Sequence, residues 1–164
     1  MNLKDEFDDF IEKNGHEVLI AHSPHKLHCD CWNPTTKEGD SNCPECFGTG
    51  WNYRWFKTKT RRTERSMSSN KIDFNEEIKV YSVGYSYYFK SNIKIFADDL
   101  IFEINDGSLR NDIAKFIVTN HDLKSGKDGV GTYREALANK ISINNKEMKD
   151  KVNQILKQHI DMVW

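Results

Sequence analysis

The stretch CDCWNPTTKEGDSNCPECFGTGW, residues 29–51, contains all four cysteines of the chain. Cys29 and Cys31 stand as C-x-C, Cys43 and Cys46 as C-P-E-C, and Phe47-Gly48-Thr49-Gly50-Trp51 follows. Thiolates in two short-spaced pairs are the donor set that a structural zinc takes in a closed tetrahedron. Each pair is already local, so bringing four sulfurs together costs little loop-closure entropy. Pro44 stiffens the turn between the second pair, and Gly48 and Gly50 let the chain leave it through conformations with positive φ. The C-x-C half is tighter than the commoner C-x-x-C. The expectation is a structural Zn2+ on Cys29, Cys31, Cys43 and Cys46, in a loop inserted over residues 23–50.

Three other readings compete. Two disulfides would suit a secreted domain, but no signal peptide precedes them and the chain opens on a charged helix. A thioredoxin-like redox site would need C-P-E-C in a βαβ pattern, which is missing. Four unrelated thiols would not all fall in one short window. His22, His25 and His28 precede Cys29 in steps of three. His28 could replace a cysteine as ligand, or stand beside the site.

Outward from this loop, the other signals are mostly of strands. Residues 17–21 (EVLIA) form a short apolar run that reads as a buried strand. Trp51, Tyr53 and Trp55 alternate with polar residues, and Ile78, Val80, Ser82 and Gly84 share one parity through Phe89, so both stretches read as strands. Residues 93–96, 100–104 and 115–119 are three more. Asp98-Asp99 reads as an exposed turn, and Asn105-Asp106-Gly107 as another. Residues 132–143 return after a glycine-bearing tip. The polar tract with Arg61, Arg62, Arg65 and Lys71 reads as a loop in preference to a basic contact surface. Residues 60–70 and 122–131 are thus the two long loops. Arg61, Arg62, Arg65, Lys124 and Lys127 are their candidate contacts to DNA phosphates or a protein partner.

Helices bracket this set. Leu3, Phe7, Phe10 and Ile11 recur at helical spacing, with acidic residues on the other face and Gly15 as a stop. Asn144 and Glu147 read as a capping box for a C-terminal helix over residues 145–164, with Met148, Val152, Ile155, Leu156, His159, Ile160 and Val163 on one stripe. The fold class expected is mainly β: one domain over residues 1–164, a small barrel or sandwich with a helix at each end and a projecting metal loop.

At 164 residues the chain is long enough to bury about 70% of its unfolded surface. A net charge of −1 speaks against a protein that coats nucleic acid. No apolar run is of membrane-spanning length, so a soluble protein without a membrane partner is expected. Catalytic signatures such as G-x-S-x-G, H-E-x-x-H and a Walker loop are missing, and four thiolates would close the metal's shell, so no enzyme is expected.

In order and in short motifs the chain resembles the head-closure, or stopper, proteins of the neck of tailed bacteriophages. The motifs are Gly15-His16-Glu17-Val18-Leu19-Ile20 after the first helix, the C-P-x-C-x-G-x-G insert from Cys43 to Gly50, Phe96-Ala97-Asp98-Asp99-Leu100-Ile101, and Gly131-Thr132-Tyr133-Arg134. The helix after residue 145 is an addition to that pattern, and adaptor or tail-completion proteins are neighbouring possibilities. The resemblance implies a virion protein in a homo-oligomeric ring. Its partners would be the portal or adaptor, a tail completion or terminator protein, and the packaged double-stranded DNA in the channel. The C-P-x-C-x-G-x-G insert also looks like one half-repeat of the zinc region of DnaJ-type chaperones, which carry four. An alternative from another class is a zinc-ribbon nucleic-acid module, with Arg54, Lys57, Lys59, Arg61, Arg62 and Arg65 interleaved with Trp51, Tyr53 and Trp55.

Overall fold

The computed structural model describes residues 2–23, 25–66, 83–105, 108–109, 114–127, 129–143 and 145–158. The elements run α1 (Leu3–Asn14), β1 (His16–His22), β2 (Arg54–Ser66), β3 (Val83–Lys90), β4 (Leu100–Asn105), β5 (Ser108–Leu109), β6 (Ala114–Ser125), β7 (Gly131–Ser142) and α2 (Lys146–Leu156). Six strands pair in the order β1-β2-β3-β7-β6-β4, and β1 also pairs with β4, so the sheet closes into an antiparallel barrel. Closure leaves no edge among the paired segments. The two-residue β5 adds to the end of β4 through Ile104↔Leu109.

Side-chain alternation along β1 and β4 divides the molecule into two cores. Val18, Ile20 and Ile101 point into the barrel with Phe56, Tyr85, Tyr87, Phe89, Val118, Ala136 and Ala138. Leu19, Ala21, Leu100, Phe102 and Ile104 point outward and are covered by Phe47 of the cysteine loop and by Met148, Val152, Ile155 and Leu156 of α2. This is why residues 18–21 are apolar without a break: the strand is buried on both faces. The C-terminal helix therefore docks on its own barrel.

Each helix has an identifiable start. Asn2 Oδ1 accepts from Asp5 N–H at 2.9 Å, and Asn145 Oδ1 accepts from Glu147 and Met148 N–H. The cap of α2 is thus Asn145 in place of the expected Asn144, which lies outside the described residues together with His159, Ile160 and Val163. Gly15 ends α1 in extended backbone (φ −75°). A Cβ there would lie 2.4 Å from Ile11 O, so the sharp passage from α1 into β1 admits no side chain.

Several expectations are corrected. The tract with Arg61 and Arg62 is strand: β2 continues to Ser66, pairing with β3 from Arg61↔Tyr88 to Ser66↔Val83. Its polar residues still alternate, with Thr60 buried and Arg62 half-buried toward the barrel. Residues 122–125 belong to β6, which leaves only 126–130 as the hairpin tip. Trp51 and Tyr53 precede β2, which starts at Arg54. Residues 93–96 form no strand. Ile93 and Ile95 are buried and Lys94 and Phe96 exposed, so a segment covering the inner core carries a period-two pattern without a ladder. Lys71, Ile78, Val80, Ser82, Asp106 and Gly107 lie outside the described residues.

Candidate metal centre

The insert between β1 and β2 folds as two knuckles facing each other. The first turns at residues 29–32, where Trp32 N–H donates to Cys29 O at 2.9 Å. The second turns at residues 43–49, where Thr49 N–H donates to Cys46 O at 3.0 Å and the Thr49 hydroxyl donates to the same oxygen at 2.7 Å. Cys29 N–H donates to Gly50 O at 2.8 Å and ties one knuckle to the exit of the other. Gly48 and Gly50 have φ of +77° and +80°, as the motif requires. At Gly50 a Cβ would meet the Trp32 ring at 2.6 Å, so the second glycine also gives the two knuckles room.

All four Sγ atoms lie within 4.8 Å of one another. Cys31 and Cys46 approach to 3.4 Å and Cys29 and Cys43 to 3.9 Å. Metal–sulfur bonds of about 2.3 Å in a tetrahedron put the sulfurs about 3.8 Å apart. The spacing fits a single ion, and the four cysteines could hold one. Cys29, Cys43 and Cys46 are buried and Cys31 is half-buried, which also excludes competing water from most of the shell.

Backbone amides are aimed at the sulfurs. Cys31 N–H points to Cys29, that of Asp40 to Cys31, those of Cys46 and Glu45 to Cys43, and that of Gly50 to Cys46. Hydrogen bonds to the charged form favour it, so this cage suits thiolates. Burial nonetheless pushes the thiols of Cys29, Cys31 and Cys46 above their ordinary range. Burial acts on Cys43 in the same direction, but the amides of Cys46 and Glu45 and the neighbouring thiols outweigh it and draw that thiol down. An incoming cation therefore displaces protons, and acid opposes its binding.

His28 is placed elsewhere. Its ring stacks on Trp32 (centroids 3.9 Å) and Trp51 (4.6 Å), and among the described residues the ligand cluster is of cysteines alone. The loop is also less of a projection than its polar interior suggests. Phe47, fully buried, packs on Phe102 at 5.0 Å and Trp55 at 5.5 Å. Asn145 Nδ2 donates to Asn42 O, and Lys151 Nζ donates to Glu45 at 2.9 Å, so α2 is tied to the loop by polar links as well. The C-P-E-C-F-G-T-G pattern gives Phe47 no packing signal, because its spacing is set by the thiols and glycines.

Two buried polar groups likewise carry no signal in the sequence. Asp99 is fully buried, which corrects the exposed-turn reading. Its carboxylate meets His22 Nδ1 at 2.7 Å and accepts Phe96 N–H at 2.9 Å, while Asp98 beside it stays exposed. Glu103 lies inside the barrel. It meets His16 Nε2 at 2.8 Å, and accepts from the Tyr87 hydroxyl at 2.8 Å and from Arg62 at 3.2 Å. Burial works to raise its carboxyl, but the bonds and charges of His16, Tyr87 and Arg62 prevail and hold it below the usual carboxylate range. A lone Glu in an apolar strand gives no such signal until its three partners are brought together.

The expected contact residues are scattered. Arg62 is committed to Glu103, and Arg61 donates to Asn14 O at 3.2 Å at the C-terminus of α1. Lys59 donates to Glu12 O at 2.9 Å and so also fastens α1. Arg65 lies in β2 opposite Gly84. Lys124 pairs with Asp122 at 2.6 Å, while Lys127 is exposed in the hairpin tip. Trp55 is half-buried against the outer core. Of the basic strip, Lys59, Arg61 and Arg62 thus make contacts within the chain, while Arg54 is exposed. Compared with protein-family models and with curated proteins, the sequence finds a match in neither.

Proposed function

We propose that this chain is a structural component of the neck of a tailed-phage virion, of the head-closure or stopper kind, with Zn2+ on Cys29, Cys31, Cys43 and Cys46 and no catalytic role. The observation that carries the reading is the order of parts. A helix stopped by Gly15 leads into the first strand of a closed barrel, and the cysteine insert sits between that strand and the next. Zinc is favoured as the ion because four thiolates at this spacing make the closed shell typical of structural sites around that redox-inactive ion. In this reading the protein forms a homo-oligomeric ring between portal or adaptor and tail, and packaged DNA passes its channel. Of the candidate contact residues, Lys127, exposed at the tip of the β6–β7 hairpin, would be available to such a partner.

Native mass spectrometry of the purified chain, before and after chelation, tests both halves. One zinc per chain, with ring-sized multimers alone or on adding portal and adaptor, is the expected result. A zinc-bearing monomer that ignores those proteins removes the neck reading and leaves the metal site standing. A chain without zinc removes the metal identity.

A further inference from the structure

We infer that Cys31 and Cys46 form an oxidation site, in which a peroxide-class oxidant links the two knuckles by a disulfide and loosens α2. Cys31 is half-buried, whereas its three companions are buried, so it is the sulfur an oxidant reaches first. Its Sγ stands 3.4 Å from Cys46 Sγ. Closing that gap to a disulfide of about 2.05 Å takes a shift of about 1.4 Å. The contact runs from one knuckle to the other, so the product joins Cys31 to Cys46 and not to Cys29. Cys29 and Cys43, 3.9 Å apart, are left as the second crossed pair.

The chemistry balances with the oxidant alone. The Cys31 thiolate attacks one peroxide oxygen, the O–O bond breaks, and hydroxide leaves behind a sulfenic acid. The Cys46 thiolate then displaces a second hydroxide and forms the S–S bond. Two thiolates have lost two electrons and the peroxide has gained them. Only two thiolates remain for a metal, too few for a closed shell. The consequence passes along the chain, because Cys46 adjoins buried Phe47, and Glu45 and Asn42 are the residues that hold Lys151 and Asn145 of α2.

The disulfide itself depends only on the cysteine cluster; release of a metal rests also on the zinc reading. The full-length protein is treated with hydrogen peroxide, alkylated, digested and mapped by mass spectrometry. Zinc is counted beforehand, and amide exchange is followed over residues 146–156. A first linkage between Cys31 and Cys46, loss of any bound zinc in step with it, and faster exchange in α2 are expected. Cys31→Ser should abolish that linkage. Cys29→Ser leaves both sulfurs of the pair in place and should still form it, and amide protection of β2, β3 and β7 followed in both variants separates a failed reaction from a failed fold. A first linkage between Cys43 and Cys46, oxidation that stops short of a disulfide, or a disulfide that leaves α2 exchange unchanged would overturn the inference. Zinc missing at the start would count against the zinc reading alone, since the linkage is scored independently.

Discussion

β1 and β4 serve two cores at once, and the two are held by different means. Inside the barrel, Val18, Ile20 and Ile101 face side chains from β2, β3, β6 and β7, and each backbone ladder reinforces that packing. Outside, Leu19, Ala21, Leu100 and Phe102 are covered by a loop of two knuckles and an 11-residue helix. The helix is not stable alone, because isolated helices of that length are marginal in water, and the loop is joined to the barrel through the packing of Phe47. The outer core therefore depends on what fixes the loop: the cysteine cluster, buried Phe47 and the links from Asn145 and Lys151. The inner core does not.

The strongest way to break this division is Cys46→Ser, which removes the one cysteine of the cluster that is fully buried and adjoins Phe47. Metal binding supplies folding free energy on the order of 10 kcal/mol in small zinc domains, so its loss should unseat the whole outer layer. Amide exchange is expected to rise across residues 29–52 and 146–156 while β2, β3 and β7 keep their protection. Chelation of the unmodified protein should reproduce the pattern. Uniform loss of protection would mean that the two cores are one cooperative unit.

Removing a ring from each core sharpens the comparison. Phe89→Ala, inside, and Phe47→Ala, outside, each delete a fully buried side chain and should cost about 3–5 kcal/mol. The inner substitution should lower the midpoint of global unfolding. The outer one should act mainly on α2 and on metal retention, measured by chelator competition. Equal effects on both readouts would contradict the separation.

Acid tests the inner core through Glu103. Its folded carboxyl lies below the usual range, so its stabilisation is full above the unfolded value of about 4.3 and is lost as pH falls through the lower folded value. With metal removed at neutral pH, the remaining acid sensitivity of barrel unfolding should shrink in Glu103→Gln. Tyr87→Phe, which deletes one donor, should cost about 1–3 kcal/mol at neutral pH. An unchanged pH profile in Glu103→Gln would assign the acid sensitivity to another group.

The parts of the fold that were legible in the sequence are those in which one face of an element decides its pattern. Ile11 and the half-buried Phe7 mark α1, and Met148, Val152 and Ile155 mark α2, because each helix buries one face, although Leu3 and Phe10 of the expected α1 stripe stay exposed. The four thiols and two glycines were legible because a metal site constrains local spacing. What escaped depended on distant partners. Arg61 and Arg62 look like loop residues until β3 supplies a ladder and Glu103 a buried counter-charge. Asp99 looks like an exposed turn residue until His22, 77 positions away, is placed beside it. Ile93 and Ile95 carry a strand's period without a strand's hydrogen bonds, a case that periodicity alone cannot separate.

The smallest effect expected concerns the caps, and it reads the same comparison at the level of single bonds. Asn2 caps α1 by accepting one amide, that of Asp5. Asn145 accepts two, from Glu147 and Met148, and its Nδ2 also donates to Asn42 O in the cysteine loop. Replacing an asparagine cap by alanine typically costs about 1 kcal/mol. Asn2→Ala should show that cost or less, since α1 is also fastened by Lys59 and Arg61 at its other end. Asn145→Ala should show at least as much and should in addition weaken metal retention slightly, because it releases the loop from the helix. Asn145→Asp separates the two roles: it keeps the acceptor for both amides and loses the donor to Asn42. If Asn145→Asp matches the unmodified protein in helix stability but not in chelator resistance, the loop and α2 act as one clamp. If it matches in both, Phe47 and the Lys151–Glu45 pair hold the loop to α2 without Asn145.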